Sequence, residues 1–358
     1  MAQKRLLLLG GLRYLLPVIE SAKAEGYYVI TCDYLPDNIA HKYSDEYHNV
    51  SITDSEAVLA LARELKIDGI MSFAVDPGVV TAAYTAERLG LPFAGSYEAV
   101  KILQNKDLFR KFLTDNGFNV PASGGYTSVG NIRADLGRFT FPLIVKPVDS
   151  AGSKGVTKVC REEELDAAFA RAMEFSRGGR VIVEEFIEKT GCSSDTDSFS
   201  LDGRLRVVTF NSQRFDDEAA NPYAPSAYSW PSTFTAEQEE YLRGELQRLV
   251  TLLGLKTSIY NIETRIGTDG KPYIMEVSPR GGGNRLAEMI RYATGTDIIR
   301  AAVRAAVGDP IDEASIVQRD YDGHWAEIVL HSEADGVFCG VEISGEDVNL
   351  YSIVEAAG

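Results

Sequence analysis

Three short, unbroken apolar runs near the N-terminus, at 5–9, 28–32 and 69–73, alternate with amphipathic stretches at 14–25, 57–65 and 79–89. A strand with no polar alternation is buried on both faces, so the pattern predicts a parallel sheet covered by helices on each side. A dinucleotide site is the first chemistry such a sheet suggests, with Asp33 about where an acid would hold a ribose after Gly10-Gly11. Yet Gly10-Gly11-Leu12-Arg13-Tyr14-Leu15 lacks the GxGxxG spacing that lets a pyrophosphate approach the backbone, so a nicotinamide or flavin site is not supported.

From about residue 100 the style changes. A charged amphipathic helix is expected over 101–116, ended by Gly117 and Pro121, then strands over 141–147, 155–159 and 180–186 with a helix at 165–175. A polar stretch at 216–232 precedes a helix over 236–253, two strands at 258–266 and 272–277, and a helix over 285–304. The tail reads as strands at 324–331, 337–343 and 348–353. At roughly 150 residues per domain, 358 residues allow two or three units. The chain is 45% hydrophobic and 25% charged, which excludes global disorder. Its net charge of −16 argues against binding nucleic acid or an anionic membrane over a broad face, while leaving room for a local basic pocket. Cys32, Cys160, Cys192 and Cys339 lie far apart without zinc-like spacing and read as reduced core thiols. The apolar run after Arg5 is too short for a signal peptide, and no segment reaches the ~20 apolar residues of a membrane helix. A soluble, cytoplasmic protein is expected.

Two segments carry chemistry. In the first, Phe141–Val156, a β-rich stretch ends in Lys146, followed by the small residues Ser150, Ala151, Gly152, Ser153 and Gly155 and then another strand. Such a loop can turn backbone N–H groups toward an anion while Lys146 adds a point charge; a plain hairpin turn with an exposed lysine is the alternative. In the second, Asp269-Gly270 signals a two-residue turn between 258–266 and 272–277. Pairing Thr268 with Lys271 sets Glu263 opposite Glu276 and Asn261 opposite Ser278. A four-residue loop would instead make the glutamates diagonal neighbours on one face. Either way two carboxylates fall within ~8 Å, which destabilises a sheet unless a cation lies between them. Paired hard oxygens suit Mg²⁺ or Mn²⁺, with nucleotide phosphates completing the shell; two solvated glutamates are the alternative, weakened by the apolar residues around both. Arg280 follows at once and could stabilise a transferring phosphoryl group, and the run Gly281-Gly282-Gly283 opens the next helix with N–H donors for an anion.

Taken together these pieces resemble the ATP-grasp superfamily, in the carboxylate–amine ligase branch related to carbamoyl-phosphate synthetase and biotin carboxylase. The resemblance runs to about residue 310 and rests on Asn105-Lys106-Asp107, Ile144-Val145-Lys146-Pro147, Val183-Glu184-Glu185-Phe186-Ile187, Asn261-Ile262-Glu263 and Met275-Glu276-Val277-Ser278-Pro279-Arg280, closed by Ala293-Thr294-Gly295-Thr296-Asp297. It implies a Rossmann-like α/β domain over 1–100, an α+β ATP-grasp fold over 101–310 whose two subdomains clamp ATP (the lid at about 121–186), and a small strand-rich segment over 311–358. Lys106 and Lys146 would contact phosphates, and Gly152, Ser153 and Gly155 would close over them. Glu184, Glu185, Phe186 and Ile187 would form the hinge that receives adenine. Glu263 and Glu276 match the metal-binding glutamates and Arg280 the phosphate-stabilising arginine. Ser278 stands where the family usually carries Asn, as a third metal candidate. Asp195, in Cys192–Asp197, is the candidate for the ribose-binding acid.

The reaction implied is attack of a substrate carboxylate on the γ-phosphate of ATP, giving an acyl phosphate and ADP, followed by displacement of phosphate by an amine. Positioning and charge neutralisation dominate such chemistry, which fits the lack of a nucleophile triad. Arg214, Arg285, Gly282, Gly283 and Asn284 are candidates to hold the small-molecule carboxylate. The rivals are a bicarbonate-phosphorylating enzyme and a non-catalytic nucleotide-binding module. For the tail, a cap or a homodimer surface is expected.

Overall fold

The computed structural model describes residues 3–330, except 151, 217, 219–221 and 223, together with 337, 339 and 340. The N-terminal unit runs β1 (Arg5–Leu9), α1 (Leu16–Ala24), β2 (Tyr28–Cys32), β3 (Glu46–His48), α2 (Ser55–Leu65), β4 (Gly69–Ser72) and α3 (Asp76–Leu89), with sheet order β3-β2-β1-β4. β1 pairs in parallel with β2 and β4. Its apolar run is continuous because each face has its own core: Leu6 and Leu8 meet Val18 and Ile19, while Leu7 and Leu9 meet Val58, Ala62 and Ala82. The first core continues into Ile290, Ile298 and Val303, so this unit is packed against the body of the molecule. The turn after β1 is filled by the chain itself: a Cβ on Gly11 would lie 2.5 Å from His41 Nε2.

The single helix expected over 101–116 is two, α4 (Tyr97–Gln104) and α5 (Lys106–Asp115). Asn105 is extended, and its side chain accepts the N–H groups of Asp107 and Leu108, which starts a new helix at Lys106. Next comes a separate antiparallel layer of β5 (Ser123–Tyr126), α6 (Val129–Asp135), β6 (Leu143–Pro147), β7 (Thr157–Val159), α7 (Leu165–Phe175) and β8 (Val181–Glu185), ordered β5-β8-β6-β7 around its own core of Val145, Val183, Leu165 and Ala172.

The remainder comprises β9 (Ser194–Leu201), β10 (Arg204–Val208), β11 (Ser212–Phe215), β12 (Pro225–Trp230), α8 (Ala236–Leu252), β13 (Ser258–Ile266), β14 (Pro272–Ser278), α9 (Leu286–Thr294), α10 (Ile298–Ala306) and β15 (Trp325–Ile328). It holds a four-stranded sheet, β10-β9-β13-β14, and a three-stranded sheet, β11-β12-β15. The helix expected over 285–304 breaks at Gly295, which is left-handed, and Asp297 caps the second piece. Of the tail, β15 is found and pairs with β12; the strands expected over 337–343 and 348–353 fall outside the described residues save for positions 337, 339 and 340. Cys32 is the one core thiol; Cys160 and Cys339 are exposed, and Cys192 is half-buried, which corrects the expectation for those three. Among the described residues no helix is long and apolar enough to cross a membrane.

Candidate active site

The acidic hairpin has the expected pairing, reached by an unexpected route. Glu263 stands opposite Glu276, and Asn261 opposite Ser278. The turn is not two residues, however: the Gly267 N–H donates to the Lys271 carbonyl at 2.9 Å, and Ile266 pairs with Pro272. That register is one step out, and a bulge between Glu263 and Thr264 steps it back. Met275 is the extra residue, and its carbonyl accepts from Arg110 Nη1 at 2.8 Å.

Each glutamate has a cation beside it. Lys106 Nζ lies 3.6 Å from Glu276 Oε2, and Arg265 Nη2 lies 3.5 Å from Glu263 Oε1. Lys106, the first residue of α5, also donates to the Ser150 carbonyl at 2.9 Å and so joins the loop after β6 to the acid pair. In that loop Gly152, Ser153 and Gly155 all take left-handed φ values, between +57° and +71°, which keeps the connection tight.

Across from the acids, Lys146 on β6 is buried against Glu184 on β8, and Arg110 Nε donates to the other carboxylate oxygen of Glu184 at 2.9 Å. Burial alone would push the Glu184 carboxyl up, but the charges of Arg110 and Lys146 overcome it and hold the group down at about 2. Burial pushes Lys146 down, more strongly than Glu184 raises it. Glu184, expected in the hinge, therefore turns its side chain inward to position Lys146. Arg110 was not singled out in the sequence, although it lies four residues after Lys106 on the same helical face. Glu185 accepts from the Thr140 N–H at 2.7 Å, the Phe186 N–H donates to the Pro142 carbonyl at 2.9 Å, and the Ile187 carbonyl accepts from Arg265 Nη1 at 3.2 Å.

The Ser278 hydroxyl donates to Asp76 Oδ1 at 3.0 Å and accepts from Gln104 Nε2 at 2.7 Å. Asp76 also takes the Nε and Nη2 of Arg280, at 2.8 and 2.7 Å. Burial would raise the Asp76 carboxyl, yet Arg280 holds it below its ordinary value. The N-terminal unit thus fixes the direction of Arg280. A Cβ on Gly281 would lie 2.2 Å from the Phe73 ring, and one on Gly282 would lie 2.7 Å from Asn261 Nδ2, so a side chain at either position would have to displace these neighbours. The Gly282 N–H is already given to Asp197 Oδ1 at 2.8 Å, so it is not a spare donor for an anion. Asn284 Nδ2 donates to the Tyr228 hydroxyl at 3.0 Å, and Arg285 forks onto Glu288.

Asp195 faces Glu263 across the β9–β13 ladder. Its Oδ1 accepts from Asn261 Nδ2 at 2.9 Å, and its Oδ2 has long contacts to Gln213 Nε2 and the Tyr228 hydroxyl, at 3.4 and 3.5 Å. Its side chain is thus held by Asn261, four residues before Arg265 on β13, whose guanidinium meets the Ile187 carbonyl. Burial, and next the charge of Glu263, push Asp195 up to about 7, and burial pushes Asp197 up to about 7. Glu327, opposite Tyr228 in the β12–β15 ladder, is pushed up to about 8, again by burial first. Arg214 is not brought to the site. It follows Gln213 on β11, so strand alternation turns it to the other face, where it is exposed and donates to Ser229 Oγ at 2.7 Å.

The family model for the ATP-grasp N-terminal domain matches residues 19–93, and that for the ATP-grasp domain matches residues 139–288. The chain is an ATP-grasp protein. Among curated relatives, the carbamoyl phosphate synthase large chain of Vibrio cholerae is 24% identical over 314 residues, covering 86% of this chain but only 28% of that one. The ATP-grasp protein therefore spans under a third of that relative's length. Two solved structures share the fold. The L-amino acid ligase from Bacillus licheniformis superposes with a TM-score of 0.72 at 23% identity, over 88% of this chain and 76% of that one. The phosphoribosylglycinamide synthetase from Anaerococcus prevotii superposes with a TM-score of 0.69 at 22% identity, over 86% and 76%.

Proposed function

We propose that this ATP-grasp protein is an ATP-dependent carboxylate–amine ligase that forms an amide through an acyl phosphate and releases ADP and phosphate. The observation that carries the reading is Lys106, which sits between the lid loop at Ser150 and the acid at Glu276, 2.9 and 3.6 Å from them. A lysine shared by a small-residue loop and paired carboxylates is the arrangement a metal-bound triphosphate needs on its two sides. ATP would lie between the lid sheet and the β9-β13-β14 face, its phosphates touched by Lys106 and Lys146 and covered by Gly152, Ser153 and Gly155. The adenine would meet the backbone of Glu185, Phe186 and Ile187, while Glu184 holds Lys146 in place.

Among the described residues no three His, Cys, Asp or Glu side chains come together to hold a metal. Glu263 and Glu276 are hard oxygen ligands that fit Mg²⁺ or Mn²⁺ if phosphates complete the shell, and the metal would neutralise phosphate charge there. The Ser278 hydroxyl, held between Asp76 and Gln104, is better suited to support Arg280 than to ligate. Arg280, held by Asp76, would stabilise the transferring phosphoryl group. Gly283, Asn284 and Arg285 border the space left for the carboxylate.

A second reading, phosphorylation of bicarbonate, is favoured by the carbamoyl phosphate synthase relatives. One assay tests both: incubate the protein with ATP, Mg²⁺ and pools of carboxylic acids and amines, and measure ADP and phosphate. ADP release that needs both an acid and an amine is the expected result. Release that needs bicarbonate would replace the first reading with the second, and ATP binding without turnover would sink both.

A further inference from the structure

The acids around Asp195 are not matched by donors. Gln213 is only 6% exposed, and its Oε1 has no hydrogen-bond partner. Glu327 Oε2 is also buried without a partner. Asp195 Oδ2 has only the two long contacts at 3.4 and 3.5 Å. These three oxygens belong to one constellation: Gln213 and Tyr228 both reach Asp195, Tyr228 pairs with Glu327 across β12 and β15, and the Glu327 carboxyl, pushed up by burial first, feels the cation of Arg285 and then the charges of Glu288 and Asp195.

Two of these atoms are buried acceptors with no donor and the third has only long ones, an arrangement that costs stability. The missing partner must therefore bring several donors, and beside two carboxylates it must bring positive charge. A metal ion is the poorer fit, because no three carboxylates among the described residues converge to chelate one, and the carboxamide and phenol suit N–H and O–H geometry. An ammonium group carries three donors on one charged nitrogen. The position is apt as well, since Asp195 is the ladder neighbour of Glu263.

We propose that Asp195, Gln213, Tyr228 and Glu327 form a binding site for the ammonium group of the amine co-substrate, an inference that rests on the ligase reading above. The substrate class it names is a primary amine or amino acid that arrives as a cation. Tyr228 acts as a positioning group, its hydroxyl accepting from Asn284 at 3.0 Å and leaving its proton directed at Asp195.

The test is calorimetric titration of the full chain at pH 7.5 with n-propylammonium chloride, tetramethylammonium chloride and MgCl₂ as probes, alongside a separate titration with ATP and Mg²⁺. Propylammonium is expected to bind with the millimolar affinity typical of a fragment. Tetramethylammonium, which has charge but no N–H, should bind at least tenfold more weakly. The isosteric change Glu327→Gln should weaken propylammonium at least tenfold, and Gln213→Leu should do the same. Melting temperatures of the variants identify any that fail to fold, in which case Asp195→Asn is read instead. No binding of propylammonium, binding equal in all variants, or Mg²⁺ binding lost in Glu327→Gln would overturn the proposal. Propylammonium binding with no ATP binding would instead retain the cation site and remove the ligase reading.

Discussion

Two sheets of the molecule treat charge in opposite ways. At the β5-β8-β6-β7 sheet, Lys146 and Glu184 are buried together with Arg110 of α5, and every charge has an opposite within hydrogen-bond reach. On the body side, Asp195, Asp197, Glu263 and Glu276 crowd one sheet face, and Asp197 Oδ2 is buried without a partner. The first arrangement is self-sufficient. The second is incomplete without something cationic, and that is where a metal-bound nucleotide and a charged substrate have reason to bind.

The largest effect should come from the incomplete side. Glu276→Gln removes half of the carboxylate pair and should lower ATP turnover by roughly 10²–10³ or more, by analogy with losing one preorganised charge-stabilising group. Its melting temperature should stay close to that of the parent, because Glu276 is half-buried and Lys106 beside it keeps its bond to Ser150. Stopped-flow ADP release and a thermal melt together check it; a fully active variant would remove the acid pair from the chemistry.

The self-sufficient side should break through stability instead. Glu184→Gln leaves Lys146 and Arg110 buried without their anion and should cost about 3–5 kcal/mol at neutral pH. The pH dependence has a definite sign. The Glu184 carboxyl lies at about 2 in the folded state against an ordinary 4.5, so its contribution is complete above the ordinary value and is lost as pH falls from there toward 2. Urea denaturation of parent and variant should therefore differ most at neutral pH and converge in acid.

Much of this contrast was legible in the chain, and the rest was hidden for identifiable reasons. The parallel sheet was readable because β1, β2 and β4 are buried on both faces, whereas the half-buried edge strand β3 carries Glu46 and His48 and gave no such run. The Glu263–Glu276 pair was readable because strand pairing is a matter of counting, although a longer turn and the bulge at Met275 offset each other. The break at Asn105 was missed because an amphipathic period continues across it, while the cap is a local side-chain event. Arg110 looked like an ordinary helical arginine, since its partners Glu184 and Met275 are distant in sequence. The grouping of Gln213, Tyr228 and Glu327 had no signal at all, because it depends on a small sheet assembled from three separated strands.

Asp197→Asn gives a smaller effect of opposite sign from Glu184→Gln. The Asp197 carboxyl is raised from 3.8 to about 7 by burial, so the folded state binds its proton more tightly than the unfolded chain does. Stability from this group falls as pH rises between those two values and is level above. Asparagine keeps an oxygen for the Gly282 N–H and cannot ionise, so the variant should be more stable than the parent at pH 8 by about 1–3 kcal/mol, with the gain shrinking toward pH 4. A constant difference across that range would mean that Asp197 is already neutralised by a neighbour, and the body side would no longer contrast with the lid.

Arg214 should matter least, and its silence is informative. The arginine lies one residue from Gln213, yet the strand turns the two side chains to opposite faces. It is exposed, and its bonds go to Ser229 and the Ser212 carbonyl. Arg214→Ala should change stability by no more than about 0.5 kcal/mol, as for surface changes away from buried groups. The KM for either small substrate should also stay within a factor of about two, a change of under 0.5 kcal/mol in binding. Steady-state kinetics with the substrates found in the pool assay would check this. A KM raised tenfold for the acid alone would mean that the β11 strand reverses its faces when substrate binds. Gln213 would then leave Asp195, and the shortage of donors on the body side would belong only to the empty protein.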